Sequence, residues 1–236
     1  MAETTRNQTG FIKRVLTDAP RGETVAVLGL GRFGGAVAAE LVRLEFEVLG
    51  VDRSEAAVQS YAPRVTHVVQ ADITSTEALR QIGVEQMTHA IVAVGSDLEA
   101  SILATAALDE LGVESIWAKA VSKRHGRILE RVGAQHVVYP EHDMGHQVAH
   151  MIGGRIMDWF QLDEHFAIVE TAVPAELIGK SLGAAKVRER HQVTIVCVKP
   201  PGGSFTYATP DTVPVKGSLL VVAGETVAAE AFARLR

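Results

Sequence analysis

Residues 24–34 read TVAVLGLGRFG, and the fold turns on them. TVAVL is a short, nearly wholly apolar run rich in β-branched residues, the pattern of a strand buried on both faces. GLGRFG then matches G-x-G-x-x-G at Gly29, Gly31 and Gly34. Gly29 permits a tight turn out of the strand, Gly31 lets the backbone approach a pyrophosphate, and Gly34 lets the next helix pack closely on the strand. The start of that helix offers unpaired N–H groups to phosphates. The motif alone is a weak signal, but Asp52 strengthens it. It ends the next apolar run, EVLGVD (47–52), about 20 residues on, where a carboxylate binds the ribose hydroxyls. It would also repel a 2′-phosphate, which disfavours NADP.

The same alternation continues outward. THVVQA (66–71), HAIVAVG (89–95), ESIWAKA (114–120) and HVVYP (136–140) read as further strands. Between the strands, residues 34–45, 54–62, 75–82, 97–111 and 122–132 carry apolar residues at helical spacing, and most open on Ser or Asp, good helix N-caps. Strand–helix repetition predicts an α/β fold, a Rossmann-like doubly wound parallel sheet. A helical pattern over 141–158, broken by Gly153 and Gly154, predicts a linker helix and hinge. Beyond it, HFAIVETAV (165–173), QVTIVCVK (192–199), SFTYAT (204–209) and GSLLVVAG (217–224) read as strands, with PPGG (200–203) as a turn. The expected organisation is a leader at 1–23, a nucleotide-binding domain at 24–140, the linker at 141–158, and a smaller α+β domain at 159–236. The leader is either a disordered tail or, through FIKRVL, a segment lying on a neighbour.

Composition narrows the function. The 236 residues carry a net charge of −5 with no basic block, so nucleic acid is not expected as a partner. Cys197 is the only cysteine; it can form neither an internal disulfide nor a structural zinc site and fits a reducing cytoplasm. There is no apolar stretch of about 18 residues to span a membrane, and the polar N-terminal stretch does not read as a signal peptide.

Ligands of open α/β sheets bind at the C-terminal ends of the strands. The candidate nucleotide site is therefore the loop Gly29, Leu30, Gly31, Arg32, Phe33 and Gly34, with Asp52 and Arg53 after the second strand. It continues with Asp72 and Ile73 after the third, Ala93, Val94, Gly95, Ser96 and Asp97 after the fourth, and Lys119 after the fifth. Asp72 is either an adenine contact or a helix cap, and Lys119 either a phosphate ligand or a solvated strand-end lysine. Arg32, inside the glycine loop, adds charge suited to a third phosphate; otherwise it points to solvent. His142, His146 and His150 share one helical face and are either a metal-binding face or a polar and packing face. Neither H-E-x-x-H, nor a serine nucleophile elbow, nor C-x-x-C occurs, so the residues suggest no enzyme. An NAD-dependent oxidoreductase or redox sensor is the alternative.

The segments VAVLGLGRFGGAVAAEL, EVLGVD, IWAKA, GAQHVVYPEHDMG and VKGSLLVVAG, in that order, resemble the TrkA/KtrA family, cytoplasmic gating subunits of bacterial potassium transporters built from RCK domains. YPEHDMG is a feature that the dinucleotide fingerprint leaves unexplained. One nucleotide-binding domain and one C-terminal domain fit the KtrA type. The resemblance implies binding of ATP, ADP or NAD(H), with ATP and ADP favouring different ring shapes and so different K+ flux. It implies homodimers assembling into a homo-octameric ring under a membrane K+-translocating subunit of KtrB/TrkH type. Arg32 and Lys119 then match phosphate ligands, Asp52 the ribose acid, and Glu141 a glutamate near the γ-phosphate, bridged by Mg2+ or Ca2+. The C-terminal domain resembles RCK-C, a regulatory and dimerisation domain; Arg188 falls near an arginine that contacts cyclic di-AMP in some members, although other features of that cleft are absent, and otherwise the domain only dimerises. A regulator of a cation/proton antiporter would use the same domains.

Overall fold

A computed structural model describes residues 24–152, 156–163 and 165–236. The expected leader at 1–23 and the expected hinge at Gly153–Gly154 lie outside the described residues. The chain divides into two compact units between Glu141 and His142.

The first unit has six strands: β1 (Thr24–Leu28), β2 (Glu47–Asp52), β3 (His67–Gln70), β4 (His89–Val92), β5 (Ser115–Lys119) and β6 (His136–Val138). Their order is β3-β2-β1-β4-β5-β6, and every pairing is parallel. Between them run α1 (Arg32–Arg43), α2 (Glu55–Tyr61), α3 (Thr76–Gln81), α4 (Leu98–Glu110) and α5 (Lys123–Arg131). Alternate strand residues feed two cores, as the period of two requires. Ala26, Leu28, Leu49, Val51, Ala90 and Ile116 join Leu79 of α3, Leu108 of α4 and Leu129 of α5. Val25, Val27 and Val48 pack with Ala38 of α1 and with Ala57 and Tyr61 of α2. Helices thus cover both faces, and this is the expected doubly wound fold. The order reverses between β1 and β4, which opens a crevice above the end of β1.

The second unit holds most of α6 (Pro140–Met151) and the antiparallel sheet β10-β9-β11-β8-β7. Its strands are β7 (Ile156–Gln161), β8 (Phe166–Ala172), β9 (Val193–Lys199), β10 (Thr206–Tyr207) and β11 (Leu219–Glu225). Two short helices, α7 (Leu182–Ala185) and α8 (Val187–His191), precede β9, and α9 (Thr226–Ala233) ends the unit. In β8 and β11 burial alternates, as in a sheet covered on one face. Ala167 and Val169 pack with Ala229 and Ala233 of α9, and Leu220 and Val222 with Phe232.

The helical reading of 141–158 holds through Met151 and fails from Ile156, where a strand begins. A bulge in the β7–β8 pairing between Ile156 and Asp158 breaks the period of two that marks a strand. One extra residue turns Ile156 and Trp159 to the same buried side. Helix α6 is tied to this strand: Gln147 Nε2 donates to Asp158 Oδ1 at 2.5 Å, and the His150 ring stacks on Trp159 with centroids 3.9 Å apart.

Phe232 is among the largest fully buried side chains. Phe232→Ala is expected to destabilise the second unit by about 3–5 kcal/mol, read as an earlier denaturant midpoint for fluorescence of Trp159, which lies in that unit.

Candidate functional site

The glycine loop is set by close packing. Gly29 has φ +96°, and a methyl there would lie 2.6 Å from Val94 Cγ2. A methyl on Gly34 would overlap the Gly29 carbonyl oxygen and lie 2.7 Å from Ala93 Cβ; one on Gly35 would overlap the Tyr61 ring. Helix α1 therefore starts with its backbone pressed against β1 and the β4 end. Gly31 differs, with nothing within 4 Å of its missing side chain. It is also the N-cap of α1, with no side-chain cap and no acid in the first turn. By contrast α2, α3, α4 and α5 are capped by Ser54, Ser75, Asp97 and Ser122. The first-turn N–H groups of α1 are thus left to another acceptor.

Asp52 is joined to this loop. Its Oδ2 accepts the Leu30 N–H at 2.7 Å and its Oδ1 the Ser54 N–H at 2.8 Å. The carboxylate is fixed at the mouth of the crevice, and each oxygen keeps a further lone pair for a hydroxyl. Leu30 itself is buried in the core shared with α1, so only its backbone faces the loop. Arg53, largely exposed, reaches to 3.8 Å from Asp97 Oδ2. That contact links the end of β2 to the start of α4.

Ser75, and not Asp72, caps α3. Asp72 Oδ1 instead accepts Thr74 N–H at 2.9 Å and Thr74 Oγ1–H at 2.7 Å, and these bonds hold its carboxyl below the ordinary aspartate range. The Ile73 side chain is in the core, which leaves its backbone as the part able to meet a base. After β4, Ala93 N–H donates to Leu28 O at 2.8 Å, binding the two sides of the crevice. A methyl on Gly95 would lie 3.3 Å from Lys119 Cε, so the β4–α4 loop and the end of β5 converge.

The cations and one anion gather beyond Gly95. Lys119 Nζ lies 2.5 Å from Glu141 Oε1 and 5.6 Å from the Phe33 ring centre. The Lys119 hydrogen bond, opposed by burial and aided by the charge of Arg32, holds the Glu141 carboxyl below the ordinary glutamate value. Among the described residues no three His, Cys, Asp or Glu side chains group to hold a metal ion. The His142 and His146 rings lie 4.4 Å apart, and His150 is committed to Trp159. Arg188 belongs to the second unit, where its Nε donates to Thr194 Oγ1 at 3.2 Å.

The structure thus brings the glycine loop, Asp52, Arg53, the 93–97 loop, Lys119 and Glu141 to one end of one sheet, with Asp72 and Ile73 after the neighbouring β3. Sequence reasoning missed the pairing of Lys119 with Glu141, and spacing holds no signal for it.

Fold and site together define a Rossmann-type nucleotide-binding unit joined to a small antiparallel unit. The TrkA-N domain model matches residues 25–140. Ktr system potassium uptake protein A of Bacillus subtilis is 35% identical over 86% of this chain and 92% of its own length. Ktr system potassium uptake protein C of the same organism is 37% identical over 74% and 79%, and protein A of Vibrio alginolyticus 35% over 84% and 91%. The chain belongs to this TrkA-N-containing Ktr potassium uptake family. The GsuK RCK domain shares the fold, with a TM-score of 0.65 and 21% identity over 92% of this chain and 48% of that one. A GsuK channel bound to NAD superposes similarly, with a TM-score of 0.63, 21% identity and 40% of its chain covered.

The two glycines separate folding from binding. Gly34→Ala is expected to lower stability by about 3 kcal/mol through overpacking. Gly31→Ala should cost no more than about 1 kcal/mol but weaken nucleotide binding at least about tenfold by crowding the phosphates. Thermal melts and calorimetric titration of the two variants would show the contrast.

Proposed function

We propose that the chain is a nucleotide-sensing regulatory subunit of a K+ uptake channel or transporter, a binding module and not an enzyme. The observation that carries the reading is the charge cluster of Arg32, Lys119 and Glu141 beside an uncapped helix start. Two phosphates need little beyond backbone N–H groups, whereas two cations suit a longer, more highly charged chain. The relatives named potassium uptake proteins supply the physiological setting. The GsuK channel bound to NAD shares only the fold, so NAD(H) stays an alternative ligand.

In this reading Asp52 takes the ribose, the glycine loop and the start of α1 take the first phosphates, and Arg32 and Lys119 reach the terminal one. A single carboxylate, Glu141, cannot hold Mg2+ or Ca2+ alone. It suits a cation completed by phosphate oxygens and water, which would neutralise the repulsion between carboxylate and triphosphate. ATP then differs from ADP in what it contacts, and a ligand shifts a conformational equilibrium only through such differences. The rest follows the family resemblance: homodimers form a homo-octameric ring at the inner face of the membrane, attached to a K+-translocating subunit. No helix among the described residues is long and apolar enough to cross a membrane; on the family resemblance, conduction belongs to that partner. For the second unit the reading assigns cyclic di-AMP to the exposed Arg188.

Calorimetry tests the switch. ATP and ADP are expected to bind in the micromolar range, and Arg32→Ala to weaken ATP about tenfold more than ADP. Binding of NADH alone, indifferent to Arg32→Ala, would end the ATP/ADP reading. For cyclic di-AMP, titration of the wild type and Arg188→Ala should show saturable binding that the substitution weakens about tenfold or more.

A further inference from the structure

Lys119 already has an anion. Its Nζ is 2.5 Å from Glu141 Oε1, and its side chain is only 12% exposed, against 66% for Glu141. The lysine is confined. Gly95 lies against its stem, where a methyl would stand 3.3 Å from Cε, and the Phe33 ring lies toward its head.

Glu141 is delivered to it by an anchored segment. Ala120 N–H donates to Val138 O at 2.9 Å, which stitches the segment after β5 to the end of β6. Tyr139 packs against the larger core of the first unit. Its hydroxyl fills the space beside Gly126 so closely that a methyl on that glycine would overlap it. Two residues later the chain presents the Glu141 carboxylate, within the influence of Arg32 as well. This accounts for the YPE part of the motif: the tyrosine fixes the place, the proline opens α6, and the carboxylate meets the lysine.

We propose that Glu141 is an internal stand-in for a nucleotide phosphate. In the ligand-free protein it locks Lys119, and a bound polyphosphate must take the lysine over, releasing the carboxylate and the first turn of α6. The proposal rests on the nucleotide reading above. An ammonium has three donors, but a carboxylate and a phosphate gathered on one ammonium repel each other, so the more exposed partner, Glu141, leaves. The released Glu141 then has its charge free for a divalent cation. Cation affinity thus follows nucleotide occupancy, and by linkage the cation tightens the nucleotide in return.

The experiment is calorimetric titration of ATP, with EDTA present and no divalent cation, into wild type, Glu141→Gln and Arg32→Ala. Hydrogen exchange of residues 144–147, whose N–H groups bond back to the first turn of α6, is followed in parallel. With the lock removed, Glu141→Gln should bind metal-free ATP about tenfold more tightly than wild type. Exchange of these amides should rise when wild type binds ATP, and in Glu141→Gln should already be high and unchanged by ATP. Equal or weaker metal-free binding by Glu141→Gln, or wild-type exchange indifferent to ATP, overturns the lock while leaving the nucleotide site standing. No ATP binding to wild type or Glu141→Gln overturns the site itself and the lock with it.

Discussion

Helix α1 lies so close to strand β1 that no side chain fits between them at Gly34, and none fits between α1 and the Tyr61 ring at Gly35. That close approach sets the height of the helix start above the sheet. It leaves the first-turn N–H groups uncapped beside the end of β1, where Asp52 braces the loop through the Leu30 N–H. The same contact brings Ala93 against the loop, and the β4–α4 connection follows it to the edge of the crevice. Every other site residue is placed relative to that backbone.

Along the C-terminal edge of the sheet the charges sort by strand. Carboxylates stand at the ends of β3 and β2, Arg32 over β1, Lys119 at the end of β5, and Glu141 beyond β6. A nucleotide has matching polarity, with hydroxyls at one end and phosphates at the other. Two pairs break that order, Arg53 with Asp97 and Lys119 with Glu141, an anion at the cationic end. The bond of Glu141 to Lys119 resolves the mismatch at that end within the ligand-free protein.

The first unit was legible because its central strands β1 and β2, buried on both faces, are almost wholly apolar, and each of the six appears within a few residues of its expected bounds. Helix starts were legible through Ser54, Ser75, Asp97 and Ser122, whose side chains make the expected caps. β7 was hidden because its bulge removes the period-two alternation of a half-buried strand. The role of Asp72 was hidden too, since an aspartate two residues before a threonine can bond it as readily as cap a helix. Of the site, the glycine loop and Asp52 follow from local spacing. Glu141 came only from the resemblance, because its partner Lys119 stands across a helix and a strand, where no periodicity reaches.

The order of the strands also governs the birth of the fold. β1 is the most deeply enclosed strand, yet it pairs with β2 on one side and with β4 on the other. Val25 finds His89 only after β2, β3 and α3 have been made. During synthesis one edge of β1 stays open until β4 emerges, and Ala26 and Leu28 wait for Ala90, Val92 and Leu108 to complete their core. Pairings this distant in sequence are slow to close, and unpaired edges on a nascent chain invite association with other chains. The crevice at the reversal between β1 and β4 is therefore also a seam, and the nucleotide would bind across the last major join that the chain makes in building this sheet's centre.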